Sequence, residues 1–286
     1  MKRLCQSILL LILFCSAKLP AQNNTIHQLS FEGIDHAYNM EFGTALDRFD
    51  DIIELDKNNP HGYLLKAISH YYLYLVDMDD RTAENNFRKL AAKVSEVAQK
   101  NLQTNHDDHD ALFALGTINM YLAAYHGENN GWVRAYWYGK EGINYLQALI
   151  DKNPQYYDAY LGLGLYHYYA AVMPKLVKAI SFLLGVEADR LRGLQELELA
   201  RQKGTFASVE AKFCLGYIYL YLEKDYRKAL RYFKDLCETY PRNPIFRIVL
   251  GDAYRKFGKH DLAIDAYKHS VADPILKRFP RLVISS

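Results

Sequence analysis

The residue types best suited to chemistry lie together in one short segment, His106-Asp107-Asp108-His109-Asp110. Imidazole and carboxylate groups are ligands that transition metals accept. The same aspartates can instead cap the helix that the apolar residues after them predict, because Asp is a preferred residue at a helix N-terminus. The sequence favours the capping role, so we predict no metal and no cofactor.

The other polar clusters do not match a catalytic or ion-binding motif. Asp77, Asp79 and Asp80 lack the central Gly and terminal Glu of a calcium loop. His70 and His167 occupy positions of a repeated pattern that elsewhere carry tyrosine, which indicates packing with a hydrogen bond and not general-base catalysis. The sequence contains no Gly-rich phosphate loop, nucleophile elbow or zinc-protease helix. We therefore predict no catalytic residues and no enzymatic activity.

The first 21 residues have the layout of a secretory signal peptide. Lys2 and Arg3 precede an apolar run from Ile8 to Cys15, and the sequence Lys18-Leu19-Pro20-Ala21 follows it. The run is shorter than the roughly 20 apolar residues that a membrane span needs. We predict cleavage after Ala21, export to a bacterial periplasm or to the cell exterior, and no transmembrane span in the mature chain.

Cleavage would leave a mature chain of nearly balanced charge. The whole sequence has 35 basic and 33 acidic residues, and three of the basic ones lie in the predicted signal peptide. Nucleic-acid binding needs a basic stripe that replaces phosphate counterions, so we predict no nucleic-acid partner. Cys214 and Cys237 remain after cleavage. They either form a disulfide in an oxidising compartment or pack as small apolar residues in a helical core.

A helical pattern recurs along the chain and determines the predicted fold. Near the C-terminus an apolar helical stripe, a Gly turn and a second stripe follow one another, and the same order occurs 35 residues upstream. The residues are Leu250-Gly251, Tyr254, Gly258, Ala263, Ala266 and Tyr267, then Leu215-Gly216, Tyr219, Ala229 and Phe233. Further copies occur at Leu163-Gly164 and Leu115-Gly116, with a fainter one at Ala67. This pattern resembles the tetratricopeptide-repeat (TPR) family.

The resemblance implies an all-α, TPR-type solenoid of about six helical hairpins. One hairpin cannot bury its apolar stripe alone, so neighbouring hairpins must stack. The spacing between signature positions is 35 residues from Gly216 to Gly251 but 48 from Gly116 to Gly164, which predicts insertions in the middle repeats. The predicted ranges are a signal peptide at 1–21 and one solenoid domain at 22–286, with hairpins at 29–60, 61–108, 109–154, 155–207, 208–242 and 243–276 and a tail at 277–286.

In the TPR family the first helix of each hairpin lines a concave, ligand-binding groove. In four successive repeats the groove-facing positions of these helices carry aromatic or aliphatic residues. The predicted partner-binding residues are Tyr71, Tyr72, Phe113, Met120, Tyr121, Tyr168, Tyr169, Phe213, Tyr217 and Tyr221. If exposed, they would form a larger apolar patch than is usual on a soluble monomer. The alternative is that the insertions fill the groove and bury the same rings as core.

One insertion predicts a short amphipathic helix at 174–184. Pro174 is suited to begin this helix and Gly185 to end it. Its apolar face consists of Leu176, Val177, Ile180, Leu183 and Leu184, opposite Lys175, Lys178 and Ser181. The helix is expected either to dock onto its own solenoid or to contact a partner or a membrane surface weakly.

These observations predict a non-enzymatic scaffold of the cell envelope that binds an apolar or aromatic segment of a protein partner. The alternative is a carrier of a small apolar ligand or lipid, enclosed between the solenoid and the helix at 174–184. A third hypothesis, a metal-dependent enzyme built around residues 106–110, requires a bound metal. No motif in the sequence identifies the partner.

Overall fold

The computed structural model describes residues 18–172 and 188–271. Most of the predicted signal peptide, the whole predicted helix at 174–184 and the predicted tail at 277–286 lie outside these ranges. The helices are α1 (Lys18–Tyr38), α2 (Phe42–Leu55), α3 (Pro60–Val76), α4 (Arg81–Thr104), α5 (His109–Glu128), α6 (Trp132–Lys152), α7 (Ala159–Val172), α8 (Arg190–Lys203), α9 (Ser208–Tyr217), α10 (Tyr226–Thr239), α11 (Pro244–Lys256) and α12 (His260–Val271). The helix α9 continues into a π-helical turn, Ile218–Leu222.

Consecutive helices pair into six hairpins, from α1/α2 to α11/α12, and each hairpin packs against the next. The predicted all-α solenoid of about six hairpins is therefore confirmed. Part of the extra length of the middle repeats lies within their helices. The helices α4, α5 and α6 have 24, 20 and 21 residues, whereas α10 and α11 have 14 and 13.

Polar residues between the helices fix where several helices begin. The side chain of Asn59 accepts a hydrogen bond from the backbone N–H of His61 at 2.9 Å, and Pro60 occupies the first helical position of α3. Asn243 and Pro244 start α11 in the same way. Asp and Asn satisfy the free N–H groups of a first turn, and Pro has no N–H to leave unpaired. The loop residues therefore set the register of the apolar stripes behind them.

Two glycines bring α7 and α8 into backbone contact. A Cβ atom added to Gly193 would lie 2.5 Å from the backbone nitrogen of Tyr168 and 2.7 Å from the carbonyl oxygen of Gly164. A Cβ atom on Gly164 would lie 2.8 Å from the carbonyl oxygen of Gly193. Only residues without a side chain permit this approach, which agrees with the close packing predicted for Gly164.

A buried polar pair holds the same two helices together. Nδ1 of His167 lies 2.6 Å from a carboxylate oxygen of Glu196, and the guanidinium of Arg192 donates to the other oxygen at 2.9 Å. The predicted packing of His167 with a hydrogen bond is thus confirmed. His70 is also buried as predicted, and in the described part of the chain its Nδ1 has no hydrogen-bond partner.

The solenoid bends so far that its first hairpin contacts the fifth and sixth. The side-chain amide of Asn243 donates to the carbonyl oxygen of Tyr38 at 2.8 Å, and Arg242 forms an ion pair with Glu41. The ring of Tyr38 lies 5.3 Å from that of Tyr240, between centroids. These contacts join residues about 200 positions apart in sequence. The two ends of the described solenoid therefore meet.

Candidate binding site on the concave side

The predicted groove residues fall into two classes that differ by one position along the helix. Tyr71 and Tyr168 stand four residues after the repeat signature, and their exposed fractions are 5% and 0%. Tyr72, Tyr121 and Tyr169 stand five residues after it and remain partly exposed, Tyr169 to 39%. One residue corresponds to a rotation of about 100° around the helix axis, which moves a side chain from the core to the concave surface.

Tyr71 and Tyr168 are therefore core residues, which corrects their predicted place in the groove. The Tyr71 ring packs against Phe87 at 5.2 Å between centroids, and its hydroxyl donates to Glu128 at 2.9 Å. The Tyr168 hydroxyl donates to Glu223 at 2.6 Å. Both hydroxyls thus find acceptors at the edge of the core while the rings are enclosed, as is usual for buried tyrosine.

Phe113, Met120 and Phe213 are half-buried and take part in the packing between hairpins. The ring of Phe113 lies 5.1 Å from that of Tyr156, between centroids, and Met120 belongs to the same cluster between α5, α6 and α7. Phe213 lies 5.7 Å from Phe246 of the next hairpin, between ring centroids. These three predicted site residues therefore pack between hairpins, behind the more exposed tyrosines.

A carboxylate lies at the centre of the concave side. The hydroxyl of Tyr121 on α5 donates to Glu210 on α9 at 2.7 Å. The hydroxyl of Tyr72 on α3 lies 3.2 Å from that of Tyr121. The helices α5 and α9 belong to hairpins that are not neighbours in the chain, so the bend of the solenoid brings them together. Sequence reasoning missed Glu210, although it stands three residues before Phe213 and thus one helical turn away on the same face.

Tyr38 and Cys214 complete this group, and we call Tyr38, Tyr72, Tyr121, Glu210 and Cys214 the central cluster. Each of these five side chains is half-buried, so the central cluster is neither fully enclosed as core nor fully exposed.

Burial determines the electrostatics of the central cluster. Burial raises the pKa of Glu210, against the opposing effect of the hydrogen bond from Tyr121. Burial and the nearby Glu210 also raise the pKa of the Cys214 thiol. Cys214 and Cys237 are both free, so the two thiols are not bridged in this structure. A thiol with a raised pKa is a poor nucleophile, because the thiolate is the reactive form.

A more exposed group, Tyr169, Tyr217 and Tyr221, lies beside the central cluster, and we call it the outer edge. Tyr169 lies close to both Cys214 and Tyr217, and the exposed fraction of Tyr217 is 41%. The rings of Tyr217 and Tyr221 are 4.6 Å apart between centroids. The Tyr221 hydroxyl donates to Asp252 at 2.6 Å, which fixes its ring. The outer edge therefore offers two exposed tyrosine rings on a braced support.

The segment at 106–110 has structural roles in this molecule. Asp108 accepts a hydrogen bond from the backbone N–H of Ala111 at 2.9 Å and caps α5, as the favoured interpretation predicted. Asp107 forms an ion pair with Lys152, and Asp110 accepts a hydrogen bond from Tyr156 at 3.4 Å. Among residues 18–172 and 188–271, no three His, Cys, Asp or Glu side chains form a group that could hold a metal ion.

A second apolar surface lies on α6, away from the central cluster. Both tryptophans of the chain are exposed there, Trp132 to 69% and Trp137 to 58%, together with Val133 to 72%. A cleft of about 510 Å³ beside them is lined partly by Arg88 and Arg134. Sequence reasoning did not single out this surface. The available signal was the sequence Trp-Val-Arg-Ala-Tyr-Trp directly after the turn Asn-Asn-Gly.

Comparison with known proteins identifies the repeat at the C-terminal end. Residues 215–274 match the family model described as tetratricopeptide repeat, which confirms the predicted resemblance. No curated protein matches the sequence. In the described ranges, no helix combines the length and the apolar character that crossing a membrane requires.

Three solved structures are similar to this chain at low identity. The crystal structure of MamA shows 16% identity and a TM-score of 0.44, and the match covers 70% of this chain and 97% of MamA. TTC0263, a thermophilic TPR protein in Thermus thermophilus, shows 16% identity and a TM-score of 0.48 over 82% and 99% of the two chains. The human IFIT1 dimer with PPP-AAAA shows 18% identity and a TM-score of 0.47 over 80% of this chain and 45% of IFIT1. At these values neither a ligand nor a partner transfers to this chain.

Proposed function

We propose, from the premise that this chain carries tetratricopeptide repeats, that it is a protein-interaction scaffold without catalytic activity. Stacked helical repeats form extended concave surfaces that bind protein or peptide segments. The observation that carries the proposal is the outer edge, where Tyr169 and Tyr217 expose their rings beside the central cluster. The ligand class proposed for this surface is an apolar or aromatic segment of a protein partner.

The chemistry of tyrosine supports this use. A tyrosine ring buries a large apolar area and its hydroxyl can form a hydrogen bond, so tyrosine is enriched among residues that dominate binding energy. Binding costs little side-chain entropy when neighbouring residues already hold the tyrosine in place. Tyr221 is held by its hydrogen bond to Asp252 and contacts Tyr217, which contacts Phe213 in turn. The outer edge is thus largely pre-organised before a partner arrives.

The proposed location is the bacterial cell envelope. The predicted signal peptide at 1–21 supports export, and the small number of cysteines in the mature chain is compatible with an oxidising compartment. Fusion of residues 1–21 to a reporter that is active only after export tests this part of the proposal. Reporter activity in the periplasm or medium is expected, and activity confined to the cytoplasm would contradict it.

The scaffold proposal is tested by removing the exposed rings. We expect the double variant Tyr169→Ala/Tyr217→Ala to lose at least tenfold in affinity for a partner first captured by the wild-type chain from the native cell envelope and identified by mass spectrometry. Each truncated interface tyrosine costs about 2 kcal/mol when it is a dominant contact. The measurement is titration of the purified partner, with circular dichroism to establish that helicity is unchanged.

Trp137→Ala is the matched control, since Trp137 is an exposed aromatic residue on a different surface. It should bind the partner as the wild-type chain does. Equal binding by the double variant, with its helicity intact, would overturn the scaffold proposal for this surface. A loss of affinity in the control alone would transfer the binding site to α6.

The central cluster favours a second candidate function, a carrier of a small apolar ligand. The supporting observation is that its tyrosine rings are half-buried and retain accessible surface. Apolar ligand sites are typically concave, mostly apolar and equipped with a few polar groups. Native mass spectrometry of protein purified from its own host tests this function. A species heavier than the bare chain is expected for a carrier, and the mass of the bare chain alone would argue against it.

A further inference from the structure

The cleft beside the two tryptophans is both basic and apolar. It measures about 510 Å³, and its described lining comes from α4, from the end of α5 and from the start of α6. Arg88 and Arg134 give it positive charge, and Trp132 and Val133 give it apolar surface. No Asp or Glu occurs among the described residues that line it. A cleft of this composition complements an anionic group that is attached to an apolar body.

The turn between α5 and α6 holds one wall of the cleft in shape. The backbone N–H of Gly131 donates to the carbonyl oxygen of His126 at 2.7 Å. Asn130 adopts the left-handed conformation, with a φ of 58°, which asparagine tolerates better than most residues. The ring of His126 stacks on that of Tyr138 at 5.2 Å between centroids, with 6° between the ring planes. This wall is therefore in place before a ligand binds.

The two guanidinium groups act on the same part of the cleft. Burial lowers the pKa of His126, and the charges of Arg134 and Arg88 lower it further. The imidazole is therefore neutral at pH 7, and the arginines provide the positive charge. Glu84, nearby on α4, already accepts hydrogen bonds from a tyrosine and from another arginine.

An aromatic stripe runs along α6 from the cleft. Trp132, Tyr136 and Lys140 recur at four-residue intervals, and Val133 and Trp137 lie next to them on the same side of the helix. The ammonium group of Lys140 lies 6.0 Å from the centre of the Trp137 ring. Indole rings beside basic side chains are typical of protein surfaces that lie at the headgroup level of a membrane. The outer edge, proposed above for a protein partner, contains no basic residue.

The cleft and the stripe form one continuous surface. We call Arg88, Trp132, Val133, Arg134, Trp137 and Lys140 the α6 surface.

We propose that the α6 surface docks on a membrane that contains anionic phospholipids, with both indole rings in the headgroup layer and Arg88 and Arg134 on lipid phosphates. A guanidinium group can donate two parallel hydrogen bonds to one phosphate. The positive charge selects an anionic surface, and the exposed apolar side chains add affinity because they leave water. This inference concerns a surface other than the outer edge and does not depend on the scaffold proposal.

The tryptophans themselves report on the proposed contact, because Trp132 and Trp137 are the only tryptophans in the sequence. The full mature chain is titrated with vesicles of phosphatidylcholine alone and with vesicles of an equimolar mixture of phosphatidylcholine and phosphatidylglycerol. We expect a saturable blue shift of tryptophan emission with the mixed vesicles, and binding at least tenfold weaker to phosphatidylcholine alone. The absence of a shift, or equal affinity for both vesicles, would overturn the inference.

A pair of double variants tests the role of the charges. Arg88→Gln/Arg134→Gln should lose at least tenfold in affinity for the mixed vesicles, because its cleft no longer attracts phosphate. Arg227→Gln/Arg231→Gln is the matched control, since it removes two exposed arginines from α10 and changes the net charge equally. It should bind the vesicles as the wild-type chain does. Equal affinity in the two double variants would contradict the proposed phosphate contacts.

A second pair tests the apolar contribution. Trp132→Ala/Val133→Ala should also lose at least tenfold in affinity, measured by vesicle flotation because one fluorescent reporter is removed. Its control is Leu262→Ala/Ile264→Ala, which truncates two exposed apolar residues of α12 and should bind normally. Circular dichroism of all the variants establishes that helicity is unchanged.

Three further outcomes would overturn the inference. Vesicle binding that persists in both α6 double variants would place the membrane contact elsewhere in the chain, for example at 174–184. Binding of glycerol 3-phosphate as tight as that of the vesicles would indicate a site for a soluble anion. If the wild-type chain ignores vesicles but Arg88→Gln/Arg134→Gln loses affinity for the captured protein partner, the α6 surface is a protein contact.

Discussion

Two carboxylates of this chain, Asp252 and Glu210, accept hydrogen bonds from tyrosine, yet their pKa values shift in opposite directions. Asp252 accepts from Tyr221 at 2.6 Å, from Tyr267 at 2.7 Å and from Arg255 at 3.0 Å. Although burial acts to raise its pKa, these hydrogen bonds and the guanidinium charge lower it. In the described part of the chain Glu210 accepts one hydrogen bond, from Tyr121 at 2.7 Å, and burial raises its pKa. The hydrogen bonds that a buried carboxylate accepts and the charges beside it thus decide which protonation state the fold prefers.

This contrast predicts opposite effects of neutral substitutions on stability. Because the pKa of Glu210 is raised by folding, its favourable contribution is complete below the ordinary carboxyl pKa and is lost as pH rises through the folded-state pKa. At pH 7, Glu210→Gln should therefore raise the free energy of unfolding. A tenfold difference in acidity between the two states corresponds to about 1.4 kcal/mol. The gain should shrink toward pH 4, as measured by urea unfolding.

Asp252→Asn is the matched comparison, because the folded-state pKa of Asp252 is lowered. Its contribution is present above the ordinary carboxyl pKa and is lost as pH falls through the folded-state pKa. The variant should therefore be less stable than the wild-type chain at pH 7. The titratable groups around Glu210 are tyrosines and a thiol with raised pKa values, so they do not titrate between pH 4 and 7. Stability changes of the same sign in both variants would contradict this account.

At this scale the sequence predicted the helical spacing of the candidate site residues but not which of them are buried. The repeat pattern located Tyr72, Tyr121 and Tyr169 because their spacing is helical. It could not separate them from Tyr71 and Tyr168. Adjacent residues are about 100° apart around the helix, and which of the two faces the core depends on how the helix packs against its neighbours. Glu210 was missed because its partners belong to helices far away in sequence.

At the scale of elements, the hairpin α7/α8 depends on a backbone contact that a single methyl group would disrupt. Gly193→Ala places a Cβ atom within 3 Å of two backbone atoms, and backbone cannot move aside as a flexible side chain can. We expect a loss of about 2 to 3 kcal/mol in the free energy of unfolding, measured by urea denaturation. Gly43→Ala, in the first turn of α2, meets no atom within 4 Å and should be neutral or slightly stabilising.

The opposite order of the two glycine variants would show that α7 and α8 can separate without cost. The sequence alone indicated the close approach at Gly164 because that residue belongs to the repeat signature. Gly193 follows a long insertion, after which the spacing of the repeat no longer indicates which residue faces which. Its close approach to α7 was therefore visible only in the structure. The predicted helix at 174–184 stays a prediction for the same region.

At the scale of the whole molecule, the contact between the ends distinguishes this solenoid from an open one. In an open solenoid each hairpin contacts only its neighbours, and the terminal hairpins unfold first. Here α1 and the start of α11 are joined by the hydrogen bond from Asn243 to Tyr38 and by the ion pair of Arg242 with Glu41. The sequence could not predict this closure, because the overall bend accumulates from small rotations between successive hairpins.

The closure predicts that the first and last hairpins unfold together. Asn243→Asp keeps the oxygen that caps α11 but loses the amide that donates to Tyr38. We expect amide hydrogen exchange in α1 to accelerate, because a lost hydrogen bond of this kind contributes about 1 kcal/mol. Exchange in the middle hairpins should be unchanged. If α1 already exchanges faster than every other described helix in the wild-type chain, the closure does not stabilise it.

The π-helical turn at Ile218–Leu222 gives the outer edge a further property. The backbone N–H of Glu223, just after the turn, donates to the carbonyl oxygen of Ile218, five residues earlier. This turn therefore holds one residue more than a regular one. A regular turn completes about the same rotation with one residue fewer, so the wider turn absorbs an extra residue and leaves the hydroxyl of Tyr221 beside Asp252. The outer edge can thus tolerate a change of one residue in chain length at this point, with its tyrosines still facing the same way.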